Sequence, residues 1–190
     1  MQVKNIADPN GCVLVLWVPS SLLKEGIEIM EEWGFELKQN YIWVKSKKNP
    51  TEQIASEISK IFRKKGSVSF QDAVDFKEAV LGWVKSFSLN DCLGFGMGRL
   101  FRNTHEIALV GINSTKIYKI LNNKSQRTVS IEPNERHSKK PENLQNSLDL
   151  MFPDARKIEI FARRLRPGWV CLGNEVCDGE DIRESLKKLL

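Results

Sequence analysis

"CVLVLWVPSSLLKEGIEIMEEWGFELKQNYIWVK", residues 12 to 45, holds two apolar runs on either side of an amphipathic one, and this periodicity decides the fold class. Cys12 to Val18 is apolar, rich in β-branched residues and too short for a helix, so it predicts a strand covered on both faces, most naturally a central parallel strand. After Pro19, Ser20 or Ser21 can cap a helix that places Leu23, Ile27, Met30 and Trp33 on one face, with Gly34 as its stop. Residues 40 to 45 give a second strand. Strand, helix and strand in about 35 residues form the βαβ unit of right-handed crossovers and parallel sheets.

Beyond this unit the pattern changes. Residues 47 to 93 predict a helical insertion: Ile54, Ile58 and Ile61 fit a helix starting near Thr51, and Ala73, Phe76, Val80 and Val84 fit another through Lys85, with Gly66-Ser67 between them. Glu106 to Ile112 returns to strand character, whereas 114 to 136 is polar, basic and aperiodic and predicts a loop. Pro141 can open a helix running to about Met151. Lys157 to Arg163 and Trp169 to Leu172 read as strands, and Asp178 to Leu190 as a final amphipathic helix. The class expected is α/β, one domain over residues 1 to 190.

Composition sets the outer bounds. A chain of 190 residues with 41% hydrophobic and 28% charged residues can bury a proper core and is neither disordered nor collagen-like. No apolar run reaches the length of a membrane span and the N-terminus lacks the apolar segment of a signal peptide, so an intracellular, cytoplasmic protein is expected. The four cysteines, Cys12, Cys92, Cys171 and Cys177, lack zinc-site spacing, and with two histidines no metal centre is expected. Cys12 and Cys171 sit in apolar runs and read as buried thiols of a reducing compartment.

The net charge is +5, but residues 94 to 140 carry nine Lys/Arg against three acids. Such a segment can follow a polyanion backbone, or be a solvated basic loop. Within it, Gly94-x-Gly96-x-Gly98 could cradle a phosphate only with a strand before it and a helix N-terminus after it. Arg99-Leu100-Phe101-Arg102-Asn103 and a strand follow instead, so a flexible loop with charged edges is expected.

Four blocks in order are far more specific: "VLVLWVPSSLLKEGIEIMEEWGFELKQNYIWVK" (13 to 45), "GFGMGRLFRNTHEIALVG" (94 to 111), "RHSKKPENL" (136 to 144) and "KIEIFARRLRPGWVCLGNE" (157 to 175). Together they resemble the MT-A70 family of S-adenosylmethionine-dependent N6-adenine methyltransferases, with a loop block more like bacterial and phage members. The resemblance implies a Rossmann-like methyltransferase sheet, mostly parallel, and S-adenosylmethionine as cofactor. It assigns Phe161 and Arg163 to the cofactor's nucleoside end, Asn174 and Glu175 to the ribose hydroxyls, and Lys140 to the methionine carboxylate. An amide and a carboxylate suit a diol, and an ammonium before a helix start suits an anion. Taken singly, these residues also read as a basic strand end, a capped turn and an exposed helix start.

The loop block implies a position beside the target base for Arg99, Arg102, His105 and Glu106. The substrate implied is nucleic acid, DNA ahead of RNA. In the family an Asp-Pro-Pro-Trp motif accepts hydrogen bonds from the adenine amino group, and no Asp-Pro-Pro occurs in these 190 residues. Asp8-Pro9-Asn10-Gly11 lacks the second proline and the aromatic, and it adjoins the next strand with no room for a crossover. It suits a type I turn. No catalytic acid is therefore assigned; a separate N-terminal piece or a homo- or hetero-oligomeric partner could supply it. The alternative is a non-catalytic subunit that binds nucleic acid or a methyltransferase partner.

Overall fold

The computed structural model describes residues 3–48, 52, 54–56, 59–60, 74–75, 77–82, 92–98, 100–134, 140–176 and 181–189. The chain divides into two compact units, one of residues 1–41, 107–128 and 142–190, the other of 42–106 and 129–141. The architecture is mixed α/β. No helix among the described residues is long and apolar enough to cross a membrane.

In the first unit, a short helix α1 (Val3–Ile6) leads through Asp8-Pro9-Asn10-Gly11 into β1 (Val13–Val18). The tetrapeptide is a turn, as expected: Gly11 N–H donates to the Asp8 carbonyl at 3.2 Å and Asn10 N–H to Asp8 Oδ1 at 2.8 Å. Asn113 then pins it, donating from Nδ2 to the Asp8 carbonyl at 2.8 Å and accepting from Cys12 N–H at 2.6 Å. A Cβ on Gly11 would sit 2.9 Å from the backbone nitrogen of Ile117, so only glycine fits there.

Helix α2 (Leu23–Glu32) follows, entered through a 3-10 turn (Ser20–Leu22) without a side-chain cap. The serines thus build a tight lead-in rather than the cap expected of them. The stop is as expected: Gly34 has φ 83°, Gly34 N–H reaches the Glu31 carbonyl and Phe35 N–H the Met30 carbonyl, a Schellman ending. Strand β2 (Glu36–Ser46) is longer than expected at its start.

β1 does have both faces covered. Leu14 and Leu16 pack with Val18, Met30, Phe35 and Leu109, while Val15 and Trp17 pack with Tyr41, Ala108 and Leu144. Its pairing corrects the expectation, however: β1 runs antiparallel to β3 (His105–Ile112), with Val13 opposite Ile112 and Val18 opposite Ile107. β3 has β1 on one side and β2 on the other, so β1 and β2 are not adjacent parallel strands. An apolar run reports burial of its faces and not the direction of its neighbour. β3 fills the central place, its consecutive Ala108 and Leu109 buried on opposite faces. Met30, wholly buried between α2 and β3, contributes about 1.5–3 kcal/mol by burial.

The first unit also holds α3 (Asn143–Met151), β5 (Lys157–Ile160), β6 (Trp169–Leu172) and α4 (Ile182–Lys187). α3 starts two residues after the expected Pro141 and ends where expected. β5 pairs parallel with β6 from Lys157–Trp169 to Ile160–Leu172, but stops short of the expected Arg163 because Phe161 adopts φ 63°. Only part of the expected 178–190 helix is described. Its start is capped by Asp181, whose side chain accepts from Arg183 N–H at 2.8 Å.

In the second unit, the later half of β2 pairs parallel with β4 (Val129–Pro133), Ile42 opposite Val129 and Ser46 opposite Pro133. β4 lies in the segment expected to be a loop, which also holds a 3-10 turn at Thr115–Lys119 in the first unit. Its alternation is inverted: Val129 and Ile131 are exposed while Ser130 is buried. The polar inward face conceals the strand in the sequence. Of the expected insertion, the described residues within 52–60 and 74–82 are helical. Ile58, Ile61, Gly66, Ser67, Ala73, Phe76, Val84 and Lys85 lie outside the described residues.

Candidate functional site

In the first unit, the residues expected at the cofactor's nucleoside end gather where β5 and β6 finish. Phe161, immediately after β5, holds its backbone at φ 63° and leaves its ring 65% exposed. A left-handed conformation costs a bulky residue about 1–2 kcal/mol, and such strain persists where the surroundings enforce it. The enforcing contact is a close pass of chain on chain. Ala162 N–H donates to the Leu172 carbonyl at 2.8 Å, and a Cβ on Gly173 would meet the Ala162 carbonyl oxygen at 2.5 Å. Gly173 therefore lets β6 run on beside Ala162, and Asn174 and Glu175 emerge exposed in the turn that follows. Arg163 Nε reaches Glu175 Oε1 at 3.3 Å, both side chains exposed. The turn is closed by Val176 N–H on the Gly173 carbonyl.

Arg166 plays a different part. Its guanidinium donates to Glu142 Oε2 at 3.0 Å, Asn146 Oδ1 at 2.6 Å and Asp149 Oδ2 at 2.7 Å, while Trp169 Nε1–H donates to Asp149 Oδ1 at 2.9 Å. Arg164 adds an ion pair to Glu142 at 2.5 Å. The basic strand end is thus a clamp of β6 onto α3, with Arg166 a structural member. Burial acts to raise the Asp149 carboxyl, but the bonds from Arg166 and Trp169 outweigh it and hold it below the usual range.

In the second unit, Glu106 lies between two lysines. Its Oε1 is 2.9 Å from Lys45 Nζ, and its Oε2 accepts from Lys140. Burial pushes its carboxyl up, yet the bonds from Lys140 and Lys45 more than reverse this and hold it below the ordinary carboxylate value. Both ammoniums also sit over the Trp43 ring, at 5.4 Å for Lys45 and 6.0 Å for Lys140. Trp43 is itself 1% exposed and donates its indole N–H to the Glu132 carbonyl at 3.0 Å. Glu106 is therefore engaged by ammoniums in this unit, and Lys140 is fixed by a carboxylate.

The glycine-rich stretch of this unit is a closed hairpin rather than the flexible loop expected. Gly96 and Asn103 exchange backbone bonds at 2.8 and 3.3 Å, and Asn103 Nδ2 donates to the Met97 carbonyl at 3.0 Å. A Cβ on Gly98 would lie 1.9 Å from the Phe101 carbonyl oxygen, which explains the glycine without any phosphate. Its tip presents Phe95, Met97, Leu100 and Phe101 to solvent, with Arg102 and His105 exposed beside it. Arg99, like Arg136, Lys139 and Cys177, lies outside the described residues.

The MT-A70 family profile matches residues 1–66 and 77–175, most of the chain. The chain belongs to the MT-A70 family. A protein of Arabidopsis thaliana called N(6)-adenosine-methyltransferase MT-A70-like is 24% identical over 177 residues, covering 92% of this chain and 20% of its own length. Similarly named relatives from Medicago truncatula and Oryza sativa subsp. japonica are 22% and 23% identical over 177 residues, again covering 92% of this chain. The chain spans about a fifth of the length of these curated relatives.

The residues of this MT-A70 chain fit S-adenosylmethionine by their chemistry. An exposed aromatic ring, an amide and a carboxylate at one strand-end turn of the first unit suit its nucleoside. Among the described residues no group of His, Cys, Asp or Glu is arranged to hold a metal ion. Cys171 is buried as expected, and burial is the main cause raising the half-buried Cys12 thiol. Sequence reasoning missed Lys45 and Trp43. The signal available was a lysine closing the apolar run Tyr41-Ile42-Trp43-Val44, where it is 8% exposed.

Proposed function

We propose that this chain is the cofactor-binding part of an S-adenosylmethionine-dependent methyltransferase acting on adenine N6 in nucleic acid, DNA ahead of RNA. The observation that carries the reading is the strained, exposed Phe161 set beside Asn174 and the Arg163–Glu175 pair at the ends of two parallel strands. Family membership and the names of the plant relatives support the chemistry. The likeness of the loop block to bacterial and phage members supports DNA and a cytoplasmic setting.

When bound, S-adenosylmethionine supplies a methyl group activated by a positively charged sulfur. Phe161 offers its ring face to the nucleoside, Asn174 and the remaining oxygen of Glu175 take the ribose hydroxyls, and Arg163 holds Glu175 in place. The adenine amino group, a weak nucleophile, needs an acceptor of its protons, and no residue of this chain is assigned that part. Asp8 commits Oδ1 and its carbonyl to its own turn. A partner subunit or a further segment supplies the acceptor in this reading. The hairpin tip and the basic segment contact the nucleic acid.

The test is transfer of isotope-labelled methyl to adenine-containing DNA and RNA, read as N6-methyladenine by mass spectrometry. Label on DNA is expected; label on RNA alone reverses the substrate order. Cofactor binding without label on either favours the second reading, a non-catalytic MT-A70 subunit, which the lack of Asp-Pro-Pro in this sequence supports. That reading predicts salt-sensitive retention on nucleic acid.

A further inference from the structure

Between Glu106 and Glu132 the sequence holds no Asp or Glu and four cations, Lys116, Lys119, Lys124 and Arg127. All four belong to the first unit and all four are exposed. Among the described residues none of them meets a carboxylate, whereas Lys24, Lys38, Arg163, Arg164 and Arg183 of the same unit each have one. A run of like charges is normally a loose, solvated face; one carried on a fixed backbone is a track for a polyanion.

This backbone is fixed. Ser114 caps the 3-10 turn, its Oγ accepting from Lys116 N–H at 3.3 Å. Ile117, 5% exposed, and Leu121 anchor the turn in a cluster with Ile112 and Phe152. Asn122 N–H donates to the Met151 carbonyl at 2.8 Å, and Asn123 Oδ1 accepts from Ser125 N–H at 2.9 Å, Ser125 Oγ at 2.8 Å and Gln126 Nε2 at 3.2 Å. The four cations are therefore displayed by a strip that is already ordered before a ligand arrives.

Tyr118 decides which polyanion fits. It is 50% exposed, beside Lys119 in the turn, and residues three apart in a 3-10 turn eclipse, so Lys116 and Lys119 leave from one side. An aromatic face among cations suits a single strand, with phosphates on the lysines and a base on the ring. Duplex bases are stacked on one another and leave the ring nothing to cover. A lipid surface calls for an amphipathic helix with a broad apolar face, and here Ile117 and Leu121 turn inward to the core. We propose that Lys116, Tyr118, Lys119, Lys124 and Arg127 form a track for single-stranded nucleic acid on the first unit. This deepens the proposed function by naming the form of nucleic acid held, and rests on that reading for nucleic acid as the substrate.

The test is fluorescence anisotropy of the full chain with a labelled oligonucleotide of mixed sequence, as a single strand and as its duplex, over a series of salt concentrations. Lys116→Gln and Lys119→Gln are each expected to lower the log–log salt slope on the single strand by about 0.7, the counterions released by one phosphate contact. Lys24→Gln, which removes a lysine paired with Glu28, is expected to leave the slope unchanged. Tyr118→Ala should weaken the single strand about tenfold and the duplex by less than about twofold, with Tyr118→Phe at wild-type affinity. These side chains are exposed, so unchanged melting curves show that the variants are folded. Unchanged slopes in both strip lysines, the same fall in Lys24→Gln, or equal weakening of single strand and duplex by Tyr118→Ala overturns the proposal. Tyr118-dependent binding of phosphatidylcholine–phosphatidylserine vesicles in place of the single strand overturns it in favour of a lipid surface. Calorimetry with S-adenosylhomocysteine separates this proposal from the methyltransferase reading. A strip that passes on a chain that binds no cofactor leaves the track standing and sinks that reading; cofactor binding by a chain whose strip fails does the reverse.

Discussion

Trp43 donates its indole N–H to the backbone carbonyl of Glu132 at 3.0 Å, from β2 to β4. This bond does more than join two strands. It fixes the plane of a buried ring over which Lys45 and Lys140 both sit, so the strand pairing and the charge cluster share one support. Trp43→Phe removes the donor and leaves a void, and should cost about 1–3 kcal/mol in urea unfolding. A loss under about 0.5 kcal/mol would show that the bond is not structurally important.

Phe161 offers a separation of backbone from side chain. Phe161→Ala keeps the left-handed strain and loses the ring; Phe161→Gly loses the ring and relieves the strain. The glycine variant should be the more stable by about 1 kcal/mol in denaturant melts, while both bind S-adenosylhomocysteine more weakly than wild type. Equal stability of the two variants would contradict the enforced conformation.

The Asp149 clamp predicts a pH dependence with a definite sign. Its folded value lies below the ordinary 3.8, burial being outweighed by Arg166 and Trp169. Such a group adds stability that is present above the ordinary value and lost as pH falls through the folded one. Arg166→Met should therefore be least stable relative to wild type above pH 3.8, with the gap closing on further acidification. A gap that is constant with pH would assign the loss to packing alone.

The hairpin tip is exposed, so truncating it should spare stability and touch only binding. Phe101→Ala and Leu100→Ala are expected to leave the melting curve unchanged. Phe101→Ala should weaken single-stranded nucleic acid by about 1–3 kcal/mol in fluorescence anisotropy, the scale of one stacked base, and Leu100→Ala, which removes no ring, by less. Unchanged affinity in both variants would remove the tip from the interface.

Much of this was legible before the structure. The α2 ending was written in Trp33-Gly34-Phe35, the Asp8 turn in its Pro and Gly spacing, and β6 in its four apolar residues. Direction of pairing was not, because β3, which pairs with β1, comes about 90 positions later and local periodicity is blind to it. β4 was hidden by its inward Ser130 and outward Ile131. Of the residues the resemblance named, Phe161, Arg163, Asn174 and Glu175 follow the ends of β5 and β6, with Arg163 paired to Glu175. Lys140 is found with Glu106 in the other unit. What no motif could give was the sharing of Glu106 with Lys45, a relation between residues 61 and 34 positions apart in sequence made by strand neighbours.

The central claim is that this chain holds S-adenosylmethionine at the turn following β6. Isothermal titration of the folded chain with S-adenosylhomocysteine, and of Asn174→Ala and Glu175→Ala, tests it most directly. The account predicts saturable one-site binding, weakened about tenfold in each variant, the worth of a hydrogen bond to a ribose hydroxyl. Absence of binding by the wild-type chain, or full affinity in both variants, would contradict it.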